Sequence, residues 1–161
     1  MDKLDEYYKF LAEKQTAVHD SGFEIADEDL NPKLFTFQRY CVKRALKTGR
    51  FAMFEDCGLG KTFQQLEWAY QVQKHINRPV LILAPLGVIG QTINEGEHFG
   101  YEVKEIGLTV FGQDLKAGIY ITNYDNMENI DAYLFGGVVL DESSILKNFA
   151  GKTRTALIED F

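Results

Sequence analysis

The chain has 161 residues, of which 45% are hydrophobic and 13% aromatic. That length and composition suit one packed domain and exclude a disordered chain. The net charge of −7 and a pI near 5.0 argue against a protein that coats nucleic acid in general. No apolar run approaches ~20 residues, so no membrane span is expected. Cys41 and Cys57 are too few for a disulfide framework, and a reduced intracellular setting is the default.

The charge is uneven along the chain. Residues 1–34 hold nine acids against four lysines, whereas residues 38–50 hold five bases (Arg39, Lys43, Arg44, Lys47, Arg50) and no acid. Two readings of the basic stretch stand: a solvated helix face, or a local patch that faces phosphates.

In chain order, "LDEYYKFLAEKQTAV" places Leu4, Tyr7 or Tyr8, and Leu11 at helical spacing. It lacks the apolar core of a signal peptide. "HDSGFEIADEDLNPK" carries turn residues and a proline and reads as mostly irregular. A second helix is expected in "FTFQRYCVKRALKTG", with Phe37, Tyr40, Cys41, Ala45 and Leu46 on one side and Gly49 as the stop. "RFAMF" (50–54) reads as a short buried strand. A helix over 61–75 follows, then a strand over 79–85 ("PVLILAP"), a helix over 87–100 and a strand over 101–106. Further strands are expected over 118–124 ("GIYITNY") and 136–142 ("GGVVLDE"), and a closing helix over 148–161. Alternating strands and helices predict an α/β domain with a parallel sheet covered on both faces, its functional loops along one edge. The chain divides into an N-terminal helix with an acidic connector (1–34) and the α/β domain (35–161).

"FEDCGLGKT" (54–62) lies where a strand, a glycine turn and a helix start meet, the setting of a phosphate-binding loop. Gly58 and Gly60 permit close backbone approach, and the amides of the turn and helix start point at an anion. Lys61 supplies a compact positive charge for the β- and γ-phosphates, and the Thr62 hydroxyl suits Mg²⁺. The full pattern G-x-x-x-x-G-K-[ST] asks for glycine at 55, where this chain has Glu55, followed by Asp56. "VVLDESS" (138–144) is an apolar strand that ends in two acids and could lie beside the phosphate-loop strand. Asp141 is then placed to hold Mg²⁺ through water, and Glu142 to polarise an attacking water as general base.

These motifs together resemble the superfamily 2 DExx-box helicases and translocases. "FTFQRYCVKRAL" is similar to the Q motif, "LILAPLGVIGQT" (81–92) to motif Ia, "ITNYDNM" (121–127) to motif Ib, and "LDESSILKN" (140–148) to the motif II region of the SNF2-type branch. The likeness is greatest to SNF2-like DEAD-type helicases of phages and prophages, and it covers nearly the whole chain. SNF2-type proteins commonly carry an acidic pair before Met-Gly-Leu-Gly-Lys-Thr, which fits Glu55-Asp56 with Cys57 in the methionine place. The loop then reaches phosphates mainly through Gly58, Leu59, Gly60, Lys61 and Thr62. The two carboxylates must point away from the triphosphate or be offset by Mg²⁺ and Lys61.

The resemblance implies a three-layer RecA-like P-loop NTPase fold and ATP with Mg²⁺ as ligands. It implies that Gln38 reads the adenine edge, favouring ATP over GTP. Pro85, Leu86, Thr122, Asn123 and Tyr124 are implied to lie near a nucleic-acid backbone, with core packing the alternative for Tyr124. Lys147 stands between a contact to DNA or a second domain and a plain surface lysine. Only 19 residues follow Glu142, and none matches motif III. The chain is therefore expected to form the first of two motor domains, its sheet incomplete at the C-terminus. The arginine finger is expected from a second RecA-like domain or partner subunit, since Arg154 sits on this domain. The implied function is the ATP-binding motor domain of a DNA-dependent ATPase acting on duplex DNA, in the cytoplasm of a bacterial or phage-infected cell. Two alternatives stand beside it: a non-enzymatic ATP-binding module that docks on another motor subunit, and an unrelated phosphate-loop NTPase.

Overall fold

The computed structural model describes residues 20–107 and 115–142. The helices expected over 4–18 and 148–161 lie outside the described residues. Four strands form one parallel sheet: β1 (Val80–Ala84), β2 (Val103–Glu105), β3 (Ile119–Asn123) and β4 (Gly137–Leu140), in the order β2-β3-β1-β4. The five residues of β1 are all buried, as a strand covered on both faces requires. Three helices accompany them: α1 (Thr36–Thr48), α2 (Lys61–Ile76) and α3 (Ile89–Phe99). The α/β class read from the sequence is thus the observed one, and it is compatible with a RecA-like three-layer arrangement. Among the described residues no helix is long and apolar enough to cross a membrane.

Strand alternation splits the core. Val80, Ile82 and Ala84 of β1 and Ile119 and Ile121 of β3 face the helices, where they meet Val42, Leu46, Phe63, Leu66, Ala69 and Ile89. Leu81, Leu83 and Tyr120 face the other way, against Tyr124, Met127, Ile130 and Phe135. Two short 3-10 helices, Tyr124–Asn129 and Ala132–Leu134, cover this second face. Burying each Leu or Ile fully contributes ~1.5–3 kcal/mol, so β1 anchors both layers.

The connector packs on the helical layer. Leu30 and Leu34 are buried, and the Phe23 amide donates to Leu46 O at 3.0 Å. Asn31 enters a buried polar network centred on Glu67 of α2, which is 1% exposed. The Tyr101 hydroxyl donates to Glu67 Oε2, and Gln71 Nε2 donates to Glu67 Oε1 at 2.7 Å. Asn31 Nδ2 donates to the Tyr101 hydroxyl at 2.9 Å and to Phe99 O at 3.0 Å.

Two expectations are corrected. First, residues 50–54 form no strand: they run without ladder partners, with Phe51 47% and Phe54 96% exposed. A buried strand needs cover on both faces, which these rings lack. The partner of β4 is accordingly β1, not a phosphate-loop strand. Second, α1 buries Gln38, Val42, Ala45, Leu46 and Thr48, while Phe37 and Tyr40 face outward. The stripe at 38, 42, 45 and 46 begins with a glutamine, which an apolar count does not register.

The basic stretch also finds its surroundings. Lys43 pairs with Asp27 at 2.5 Å and Lys47 with Glu24 at 2.6 Å, while Arg44 and Lys47 both approach Asp20. Arg39 donates to the carbonyls of Leu34, Asp27 and Asn31. The acidic connector lies against the basic face of α1. Such exposed pairs contribute little to stability and weaken with salt.

Candidate nucleotide site

The turn over 57–59 leads into α2, whose N-cap Gly60 has φ 75° and ψ 40°. A Cβ there would enter the left-handed region and stand 2.5 Å from Gln38 Nε2, so only glycine fits without displacement. The first-turn amides of an α-helix have no partner within the helix, and such an N-terminus suits an anion.

The acids of the loop are accounted for by geometry. Lys61 Nζ donates to the carbonyl oxygens of Glu55 and Asp56, each at 2.9 Å. The Glu55 carboxylate is turned back onto α2, where Gln64 Nε2 donates to Oε2 at 2.7 Å. Its other neighbour is Cys41, whose thiol pKa is pushed up by burial and by the Glu55 carboxylate. Glu55 thus offers Lys61 its backbone oxygen and gives its charge to the helix layer. Asp56 is exposed.

Gln38 joins α1 to this loop. Its carboxamide is buried, Nε2 donates to Leu59 O at 2.9 Å, and Oε1 accepts from the Phe35 amide at 3.0 Å. A carboxamide has two N–H donors and two acceptor lone pairs, so one of each remains. The pair matches the N6 and N7 edge of adenine. Gln38, Gly58, Leu59 and Gly60 line a cleft of about 870 Å³, within the range of small-ligand pockets. Phe35 and Phe37 stand at its mouth with rings 6.4 Å apart, and Asn94, His98 and Phe99 of α3 form its far wall.

Register gathers the remaining candidates on one sheet edge. Ala84 of β1 is level with Asn123 of β3, and Leu83 with Leu140 of β4. Pro85 and Leu86, Tyr124, and Asp141 and Glu142 therefore leave the sheet side by side. The Asp141 amide donates to Leu83 O at 2.8 Å, and the Tyr124 hydroxyl donates to Asp141 O at 2.6 Å. Burial first, then the Asp141 and Glu142 charges, pushes the Tyr124 pKa well up. Gln65 Nε2 donates to Asp141 Oδ1 at 2.9 Å, which ties the acid to α2. Glu142 is exposed and holds φ 51°, in the left-handed region that non-glycine residues seldom adopt.

Leu86 is exposed, Pro85 and Asn123 are half-buried, and Thr122 and Tyr124 are buried. The Thr122 hydroxyl accepts from Asn126 Nδ2 at 3.0 Å, and Asn123 Oδ1 accepts from the Asn126 amide. Of the five residues expected near a nucleic-acid backbone, Leu86, Pro85 and Asn123 are therefore the exposed or half-exposed ones.

Among the described residues no group of three or more His, Cys, Asp or Glu forms a metal cage. The Thr62 hydroxyl and the Asp141 carboxylate are hard oxygen donors. They suit a magnesium-like cation that keeps waters and completes its shell with phosphate oxygens.

Sequence reading passed over Gln64, Gln65 and the α3 wall. For Gln65 a signal was present: it lies three residues after Thr62 and four after Lys61, the spacings that share a helix face. The α3 wall had none, because only tertiary packing brings Asn94 and His98 to the loop.

No family model matches the chain. It is similar to the SWI/SNF-related matrix-associated actin-dependent regulator of chromatin subfamily A-like protein 1 of Xenopus tropicalis, 30% identical over 130 residues, or 76% of this chain. The protein of that name from Xenopus laevis is 30% identical over 140 residues, or 81% of this chain. The chain spans 14% of the length of each of these relatives. The likeness supports a relationship to SNF2-type helicases.

Proposed function

We propose that this chain forms the ATP–Mg²⁺-binding part of a SNF2-type, DNA-dependent ATPase motor. One observation carries the reading: a buried glutamine, Gln38, is hydrogen-bonded to the glycine loop at Leu59 and lines the same cleft. A group able to read adenine and a group of amides able to hold phosphate thus share one site. In this reading Lys61 leaves the Glu55 and Asp56 carbonyls for the β- and γ-phosphates. The amides over 58–62 donate to phosphate oxygens, and Phe35 and Phe37 shield the base. Thr62 and Asp141 are the residues that hold the cation, whose chemistry is to neutralise charge on the phosphates. Glu142 orients and deprotonates the attacking water. The relationship to SNF2-type helicases supports DNA as the partner and hydrolysis-driven movement on duplex DNA as the activity of the whole motor.

Gln38→Ala tests the reading. A bidentate carboxamide–adenine pair contributes ~1–3 kcal/mol of discrimination. ATP affinity measured by calorimetry is expected to fall about tenfold more than GTP affinity, a difference of ~1.4 kcal/mol. Equal losses for both nucleotides would sink the assignment.

A further inference from the structure

Asp141 is held through its amide, its carbonyl and one carboxylate oxygen. Its amide is fixed by Leu83 of β1 and its carbonyl by the Tyr124 hydroxyl. The side-chain torsions are left, and Gln65 Nε2 restrains them by donating to Oδ1 at 2.9 Å. The orientation of the Gln65 amide follows from charge, since the opposite one would aim Oε1 at a carboxylate. Gln65 Oε1 is buried and unpartnered among the described residues, which is a cost the fold retains.

We infer that Gln65 is a positioning residue that presents Asp141 to a divalent cation on the Thr62 side of α2. The inference rests on the nucleotide reading above. Gln65 shares a helix face with Lys61 and Thr62, so an acid bound to Gln65 stands on the phosphate side of α2. The donor is neutral. A lysine or arginine in this place would cancel the charge of Asp141 and compete with the cation. A carboxamide fixes one oxygen and leaves the carboxylate its full charge. Among the described residues Oδ2 carries no hydrogen bond, so it remains for a cation-bound water or the cation.

The test compares nucleotide binding with and without cation. ATP is titrated into the unaltered chain and into Gln65→Leu, first with chelator and then across a Mg²⁺ series, by calorimetry. Mn²⁺ binding to the ATP complex is followed by electron paramagnetic resonance. The expected result is unchanged cation-free ATP affinity. The Mg²⁺ concentration for half-maximal enhancement rises about tenfold, equivalent to ~1.4 kcal/mol. Gln65→Met, of similar length and without the amide, gives the same shift and serves if leucine disturbs packing. A Mg²⁺ series identical to that of the unaltered chain overturns the inference. So does a parallel loss of cation-free affinity, which would mean that Gln65 acts on the nucleotide itself. If the unaltered chain binds ATP with no Mg²⁺ dependence, the role of Asp141 falls and this inference with it. If it binds no ATP at all, the nucleotide reading falls too.

Discussion

Replacing Tyr101 with phenylalanine isolates one bond of the buried network. The Tyr101 hydroxyl donates to Glu67 and accepts from Asn31. Tyr101 is 5% and Glu67 1% exposed, and Glu67 makes no ion pair among the described residues. After the change Asn31 Nδ2 keeps Phe99 O, and Glu67 Oε1 keeps Gln71 and the Asn31 amide. Oε2 loses its donor. Leaving a buried acceptor without its donor costs ~1–3 kcal/mol. For a domain of this size that lowers the melting temperature by roughly 2–12 °C.

The same hydroxyl predicts a pH dependence. Burial first, then Glu67, pushes the Tyr101 pKa well above its ordinary 10.0. The unfolded chain therefore loses this proton near pH 10 while the folded chain keeps it. The contribution is complete below about pH 10 and is lost as pH rises toward the folded value, at no more than ~1.4 kcal/mol per pH unit. Tyr124 acts in the same direction. The single tryptophan, Trp68, is half-buried beside Gly137 and reports urea unfolding by fluorescence. Tyr101→Phe should show the loss near neutral pH and a shallower alkaline decline. A stability within ~0.5 kcal/mol of the unaltered chain, the range of an ordinary surface change, together with an unchanged alkaline slope, would refute the role given to this bond.

Gly60→Ala places a Cβ at positive φ and 2.5 Å from Gln38 Nε2. Expected is a loss of ~1–2 kcal/mol in urea unfolding with weakened ATP binding by calorimetry; unaltered binding would count against the loop geometry. Gly22→Ala sets a Cβ 1.8 Å from Leu46 O, beside the backbone bond from Phe23 that holds the connector. It should destabilise by ~1–3 kcal/mol in a thermal melt, and an unchanged melting temperature would show that residues 21–23 do not dock there.

Fold class was legible because β1 is a continuous apolar run, β3 opens with Ile-Tyr-Ile, and α2 and α3 keep helical spacing. Local chemistry also announced the ends of two helices, at Gly49 and Gly100. What eluded sequence was polar burial. Gln38, Gln64, Glu67 and Gln71 are buried through hydrogen bonds between distant segments, and hydropathy scores them as surface. The reverse error placed 50–54 in the sheet: an apolar run is a strand only where neighbours exist to pair and cover it. For the site, the spacing of Gly58, Gly60, Lys61 and Thr62 pointed to the loop. The turn of Glu55 away from it depends on Gln64, one helical turn further on.

The two rims of the sheet are unequal. β2 is three residues long and ends in exposed Lys104 and Glu105, charges that discourage another chain from zipping on. β4 is Gly-Val-Val-Leu, uncharged and half-buried, laddered on one side only among the described residues, in a fold that also exposes Phe51 and Phe54. A rim of that kind is adhesive. In a concentrated solution of these residues alone, β4 is where strand-to-strand self-association would begin.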